Sequence, residues 1–278
     1  MGLKFEKLHG LGNDYVVVDE RKNTVIAEEK KVDFARQVCQ RGFSVGADGV
    51  LFAGRAEGDD VQMRIFNADG SEAESCANGL RCIAYFHHGL TNNTPGEFTI
   101  HLPLAGEVKA QVNLKKPALA EVQLQLQTPA AYSGKNTLRL ENIKLTYHRI
   151  DVGNPHAVFF LEENKNLPDK LKKLPLEKIG TEIQDHPDFA ASKGINAEFV
   201  HIKNDNRVTM RVHERGVGET AACGTGSIAI ACACLETGRF KGWIEVHQPG
   251  GVLKIDPETS RLKGPAEHSF SGELFGPQ

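Results

Sequence analysis

Several short stretches of the chain alternate apolar and polar side chains with a period of two. Val61-Gln-Met-Arg-Ile-Phe66, Glu121-Val-Gln-Leu-Gln-Leu126, Arg207-Val-Thr-Met-Arg-Val212 and Trp243-Ile-Glu-Val246 each offer one apolar face. That period predicts half-buried strands. The helical period is rarer. Residues 28–40 place apolar side chains near helical spacing, and two helices rich in small residues are expected to begin just after Cys76 and Cys223.

Those two helix starts share a design. Gly70-Ser-Glu-Ala-Glu-Ser-Cys76-Ala-Asn-Gly79 and Gly218-Glu-Thr-Ala-Ala-Cys223-Gly-Thr-Gly226 each run from a glycine-acid turn through Cys-x-(Asn/Thr)-Gly into an apolar helix. The cysteines are 223 − 76 = 147 positions apart, about half the chain, although upstream of them the repeat reads one residue out of register. This points to duplication, with one cysteine-bearing helix per domain and a pseudo-twofold axis that faces the cysteines towards each other. With 278 residues, two domains are the natural size. The expected chain is strand-rich with few helices, arranged as two similar domains. The polar stretch Leu114-Lys-Lys-Pro117 is the expected linker. It divides residues 1–117, rejoined by 265–278, from 118–264.

Composition narrows the function. Net charge is −3, and no Lys/Arg block exceeds a pair, which argues against a nucleic-acid partner. No apolar run is long enough to cross a bilayer, and charges interrupt Met1–Leu8 where a secretory signal needs an apolar core. A cytoplasmic protein with a small-molecule ligand is therefore expected. The six cysteines read as reduced thiols. They form no C-x-x-C pair, and with no H-E-x-x-H either, no metal site is expected. Most cytosolic cysteines are small core hydrophobes, and Cys39, Cys82, Cys232 and Cys234 are assigned to packing.

Cys76 and Cys223 differ in standing at Gly-rich helix starts. There the unpaired N–H groups and the macrodipole favour a thiolate. A thiolate is a base and a neighbouring thiol an acid, so two of them on opposite sides of a carbon can invert it. The backbone N–H groups at Ala77-Asn78 and Gly224-Thr225 can hold a carboxylate. Polar groups to fix a substrate occur in loop-like motifs: His9-Gly-Leu-Gly-Asn13-Asp-Tyr15, Phe66-Asn67, Gly153-Asn154-Pro-His156, Ile195-Asn196 and Glu214-Arg215. Taken singly, each asparagine is more often a turn residue than a ligand, and His156 is as readily a satisfied core histidine. Gly10-Leu-Gly12 lacks the third glycine of a dinucleotide fingerprint. Asn92-Asn-Thr94 matches a glycosylation acceptor, which has no role in the cytosol.

The ordered motifs HGLGNDY (9–15), GADGVL (46–51), FNADGSEAESCANGLRC (66–82), GNPHAV (153–158), INAEFV (195–200), ERGVGETAACGTG (214–226) and QPGG (248–251) resemble the diaminopimelate epimerase family along nearly the whole chain. The resemblance implies a fold of the α/β class (α+β type): two similar, pseudo-twofold related domains, each a curved mixed β-sheet or barrel around a central helix, with the active site in the cleft between them. It implies a pyridoxal-independent enzyme, with no cofactor, of lysine and cell-wall precursor biosynthesis that interconverts LL- and meso-2,6-diaminoheptanedioate. By motif, Cys76 and Cys223 are the acid/base thiols. Asn13, Asn67, Asn154, Asn196 and Arg215 hold the end of the substrate that is not inverted, and the backbone of Ala77, Asn78, Gly224 and Thr225 receives the reacting carboxylate. Glu214 and His156 stand beside the reacting amino group and the thiols. Ala77 occupies a position that is usually glycine in the family, a change that a helical backbone tolerates. A homodimer is compatible with the resemblance, although no sequence feature argues for one. Two other readings stay open: a related two-cysteine racemase of histidine or proline type, and a thiol redox or binding module in which the cysteines form a regulatory disulfide.

Overall fold

The computed structural model describes residues 2–58, 60–90, 96–126, 130–204 and 206–275; Asn92-Asn-Thr94 lies outside them. In chain order the regular elements are β1 (Leu3–Gly10), β2 (Asn13–Asp19), α1 (Lys31–Val38), β3 (Gly49–Arg55), β4 (Val61–Asn67), β5 (Glu72–Ala73), α2 (Ala77–Leu90), β6 (Glu97–Leu102), β7 (Gly106–Lys116) and β8 (Leu119–Gln125). They continue with β9 (Ala131–Arg139), β10 (Lys144–Asp151), β11 (Pro155–Phe160), α3 (Leu176–Gln184), β12 (Asn196–Ile202), β13 (Arg207–Glu214), β14 (Gly218–Thr220), α4 (Gly224–Glu236), β15 (Ile244–Gln248), β16 (Gly251–Asp256) and β17 (Arg261–Leu274). All four period-two stretches are strands (β4, β8, β13 and β15), and both cysteines are followed at once by a helix. The helix expected over 28–40 is shorter. A 3₁₀ turn at Glu28–Lys30 leads into α1, which buries Phe34, Ala35 and Val38.

The chain divides into two compact units, Met1–Gln127 with Lys263–Gln278, and Thr128–Leu262. The division falls ten positions later than Pro117. Leu114–Pro117 is no linker: it is the exposed end of the β7–β8 hairpin, whose strands pair Val112 with Val122 and Ala110 with Leu124. Lysines that face water read as a break in the sequence, but the ladder runs through them.

In the first unit the strand order closes on itself as β1-β2-β3-β4-β6-β7-β8-β17 and back to β1, an eight-stranded barrel. Pairs β2–β3 and β4–β6 are parallel. Closure leaves the barrel without a free edge. Helix α2 packs against β1, β2, β3, β4, β7 and β8 and buries every residue from Asn78 to Ala84, as a helix surrounded by sheet must.

The second unit repeats the order β9-β10-β11-β12-β13-β15-β16, with β11–β12 and β13–β15 parallel at the matching places. Its helix α4 is apolar on every side and packs on β9 to β12, β15 and β16. The repeat holds residue by residue. Arg64 forks onto Glu72 at 2.6 and 2.9 Å, and Arg211, 147 positions on, forks onto Glu219 at 2.7 and 2.7 Å. Ile65 pairs with Ala73 as Val212 pairs with Thr220. The repeat is therefore in register upstream of the cysteines, contrary to the sequence reading. Glu72 matches Glu219, and only the turn glycines have moved.

Candidate active site

Each unit is described by itself. In the first, Cys76 immediately precedes α2 and is partly exposed; its carbonyl accepts the Leu80 N–H at 2.8 Å, the opening bond of the helix. Its Sγ lies 3.1 Å from the Tyr15 Oη. Tyr15 also bonds the Oδ1 of Asn13 at 2.5 Å, which accepts from the Nδ2 of Asn78 at 3.1 Å. Asn13 donates its own Nδ2 to Asp48 at 2.9 Å. Behind this cluster Arg81, fully buried, donates to Asn78 Oδ1, Ala77 O and Pro265 O at 2.7 to 3.0 Å. Ala77, expected near the reacting carboxylate, thus fixes Arg81 through its carbonyl. Asn67 ends β4 and bonds Ser71 at 2.9 Å. The ladder sets Tyr15, Gly49 and Asn67 side by side across β2, β3 and β4.

Leu11 (φ 59°) and Gly12 (φ 87°) form the two-residue turn between β1 and β2. Both residues are left-handed, as that tight hairpin requires. Gly10 is needed for a different reason. A Cβ there would stand 2.7 Å from the Arg81 Nη2. The glycines that resembled a nucleotide fingerprint therefore shape a hairpin and admit a buried guanidinium.

In the second unit Cys223 caps α4 in an extended conformation (φ −124°), its Sγ accepting the Gly226 N–H at 3.3 Å and lying 3.5 Å from Thr225 Oγ1. Its own N–H goes to Gln248 Oε1 at 2.9 Å. The thiol lies against Glu214, which also accepts from Thr220. Burial, with Glu214 and Glu198 next in order, pushes the Cys223 thiol well above its usual range. Here the expectation that a helix start makes a thiolate accessible near neutral pH is corrected: desolvation and two neighbouring carboxylates outweigh the N–H groups. Burial likewise raises Glu214. His156, fully buried, bonds Glu198 Oε1 through Nδ1 at 2.7 Å and Asn154 Oδ1 through Nε2 at 3.0 Å. Asn196 accepts the Arg215 N–H at 3.0 Å and donates to Pro155 O, while the Arg215 guanidinium donates to Ser192 O at 2.7 Å.

Sequence reasoning missed Tyr15, Glu198 and Gln248 as partners of the cluster. Each lies within or beside a quoted motif, yet Tyr15 and Glu198 sit at strand positions that read as core, and only the pairing reveals their neighbours. Cys82 and Cys234 are wholly buried, and Cys39 and Cys232 nearly so, in keeping with packing roles. Among the described residues, no group of three or more His, Cys, Asp or Glu is arranged to hold a metal ion, and no helix is long and apolar enough to cross a membrane.

A sheet wrapped round a helix, built twice, defines the structural class. Its solved members include a predicted epimerase from Pseudomonas aeruginosa, with TM-score 0.67 and 16% identity over 99% of this chain and 100% of that one. Another is a hydroxyproline epimerase from Agrobacterium vitis solved with trans-4-hydroxy-L-proline, with TM-score 0.65 and 13% identity over 98% of this chain and 90% of that one. At such identities the likeness is one of fold. Sequence goes further: the diaminopimelate epimerase family model matches residues 5–126 and 149–267. Diaminopimelate epimerases of Methanothermobacter thermautotrophicus and Carboxydothermus hydrogenoformans are each 38% identical to the chain, covering 91% and 98% of it and 89% and 100% of their own lengths. The chain belongs to the diaminopimelate epimerase family.

Proposed function

We propose that the chain interconverts LL- and meso-2,6-diaminoheptanedioate without a cofactor, with Cys76 and Cys223 as the two acid/base thiols. The observation that carries this reading is the twin placement of the two cysteines. They are 147 positions apart in register, each directly before a helix enclosed by sheet, in a chain that matches the family along nearly its whole length.

The neighbours of each sulfur fit different duties. Glu214 lies against Cys223, so its carboxylate takes the Cys223 proton and the resulting thiolate removes the substrate's Cα proton. Cys76 then returns a proton from the opposite face. The turnover ends with Glu214 protonated, Cys223 a thiol and Cys76 a thiolate; once the product leaves, Glu214 gives its proton to water and Cys76 takes one from water, which restores the start for a further turnover. Charge built up on the reacting carboxylate is held by the backbone N–H groups at Ala77-Asn78 and Gly224-Thr225. The N–H groups of Cys223 and Gly226 have other partners. Asn13, Asn67, Asn154, Asn196 and Arg215 read the distal amino-acid end, and His156 stands beside the reacting amino group. A site built to pair those polar groups rejects substrates that leave them unpaired, which favours this substrate over an amino acid with one polar end.

The test is chiral chromatography of the reduced protein incubated with LL-diaminopimelate, and separately with histidine and proline, in deuterated buffer. Isomerisation and Cα deuteration of diaminopimelate alone are expected, abolished in Cys76→Ala and in Cys223→Ala. Full turnover by either variant would rule out a two-thiol reaction.

A further inference from the structure

We propose that Tyr15 is the positioning residue of Cys76: its oxygen accepts the Cys76 Sγ–H, so that in the unliganded protein Cys76 is held as a thiol with its proton fixed. This deepens the reading above, and rests on it for the role of Cys76.

The contact of 3.1 Å between Tyr15 Oη and Cys76 Sγ allows either atom to donate, and the surrounding network decides between them. Asp48 accepts from the Asn13 amide nitrogen, which turns Asn13 Oδ1 towards Tyr15. Arg81 donates to Asn78 Oδ1, which turns the Asn78 nitrogen towards the same Asn13 oxygen. A carboxylate at one end and a guanidinium at the other thus fix both amides. The phenol has one proton, and it goes to Asn13 Oδ1 at 2.5 Å. What Tyr15 can offer Cys76 is a lone pair, so the sulfur is the donor. Its distance to Asn13 Oδ1, 3.9 Å, is too long to compete. Tyr15 is buried and stays a neutral phenol, its acidity suppressed by burial and then by Cys76 itself.

The second unit supports the assignment by position. Gly49 and Asn196 are 147 apart; Tyr15 pairs with the first and His156 with the second. Each of the two bonds the asparagine two residues before it, Asn13 or Asn154. A hydrogen-bonding ring therefore recurs at the same strand position, but with a phenol on the Cys76 side, and among the described residues no carboxylate hydrogen-bonds the Cys76 sulfur. Among the described residues of the first unit, Arg81, Cys82 and Tyr15 interact electrostatically with Cys76, while Asp14 acts on Cys82 and Asp48 on Tyr15. Changing Tyr15 or Asn13 leaves Arg81, Cys82, Asp14 and Asp48 in place.

The test uses Cys223→Ser protein, whose remaining cysteines other than Cys76 are buried, and reads the pH dependence of Cys76 alkylation by iodoacetamide with peptide mass spectrometry. Adding Tyr15→Phe removes the acceptor of the S–H. Labelling at neutral pH is expected to be faster, on the order of tenfold, because the S–H has lost its acceptor. Asn13→Ala is expected to speed it as well, by freeing the phenol proton to turn towards the sulfur. It also carries the test alone if Tyr15→Phe does not fold. Labelling that keeps the parent rate or slows in a folded variant overturns the proposal. The readout needs no turnover, so loss of the two-thiol reading, through an active Cys76→Ala enzyme, is seen separately.

Discussion

The duplication supplies an internal control for one substitution made twice. Gly79 and Gly226, 147 positions apart, are each the third residue of their helix. In an ordinary helix, alanine there is favoured over glycine by about 0.5–1 kcal/mol. A Cβ at Gly79 would meet the Leu51 Cδ2 at 3.2 Å and then Ile65 at 3.5 Å, flexible aliphatic ends that yield by a few tenths of an ångström. At Gly226 it would meet Glu198 Oε1 at 2.8 Å, Glu198 Cγ at 3.2 Å and Cys223 Sγ at 3.3 Å. Glu198 stands where Leu51 stands in the first unit, opposite Val212 as Leu51 is opposite Ile65. It cannot retreat without leaving His156 Nδ1 at 2.7 Å, and a bond of that kind contributes about 1.5–3 kcal/mol. The loss outweighs the helix gain, for a net cost of about 1–2 kcal/mol. At about 2–4 °C per kcal/mol, Gly226→Ala is expected to melt about 2–8 °C below the parent, and Gly79→Ala at or slightly above it. Because Cys223 is pushed as well, diaminopimelate turnover by Gly226→Ala should drop on the order of a hundredfold, as small misplacements of a reacting group do. Thermal unfolding followed by circular dichroism and a chiral assay of both variants decide it. The reasoning fails if Gly226→Ala melts no lower than the parent with full turnover, or if Gly79→Ala is equally impaired.

Glu214 must be ionised to take the Cys223 proton, and burial raises it. The acid limb of kcat/KM is therefore expected above the ordinary carboxylate range; Glu214→Gln should lose that limb in a pH–rate profile, with kcat down on the order of 10²–10⁴-fold. Burial alone would raise Asp14, but bonds from Arg41 and Lys7 more than offset it and hold the group at about 2. A folded value below the unfolded one, near 3.9, stabilises above the unfolded value and is lost as pH falls towards the folded one. Melting curves of Asp14→Asn should lie below the parent at pH 7 and converge on it near pH 2. Gly10→Ala places a methyl 2.7 Å from an Arg81 guanidinium that three bonds pin in place. Overpacking of about 1–3 kcal/mol should show as a lower melting midpoint.

Much of the architecture was legible because it rests on local rules. Period-two stretches became strands, and the repeated Cys-x-(Asn/Thr)-Gly marked both enclosed helices. The linker was misread because exposed lysines on a hairpin end look like a break until the ladder is seen. The register was misread because turn glycines caught the eye while the equivalence is carried by Arg64–Glu72 and Arg211–Glu219, charged pairs with no sequence periodicity. For the site, residues in loop motifs were identifiable from composition. Partners lying on strands were not: Leu51 and Glu198 both occur in apolar runs, and only burial beside His156 separates a packing residue from a polar one.

The two units keep one frame and differ where chemistry is carried. At matching positions of the repeat, Tyr15 of the first unit corresponds to His156 of the second, Leu51 to Glu198 and Asn67 to Glu214, while the arginine–glutamate forks and the cysteines are retained. If duplication only doubled a fold, the buried ones among them, Tyr15 and Leu51 with His156 and Glu198, would drift among apolar residues, since an ionisable group in a closed core is costly without partners. They differ instead in what they do to a sulfur. One unit gives its cysteine a phenol and fixed amides and, among the described residues, no carboxylate as hydrogen-bond partner; the other sets Glu214 against its cysteine and a Glu198–His156 pair behind it. Inversion at carbon needs a base on one face and an acid on the other at the same moment. Under the two-thiol proposal each cysteine is the base for one stereoisomer and the acid for the other, so the differing neighbours of the two sulfurs are expected to give the two directions of the reaction different pH dependences.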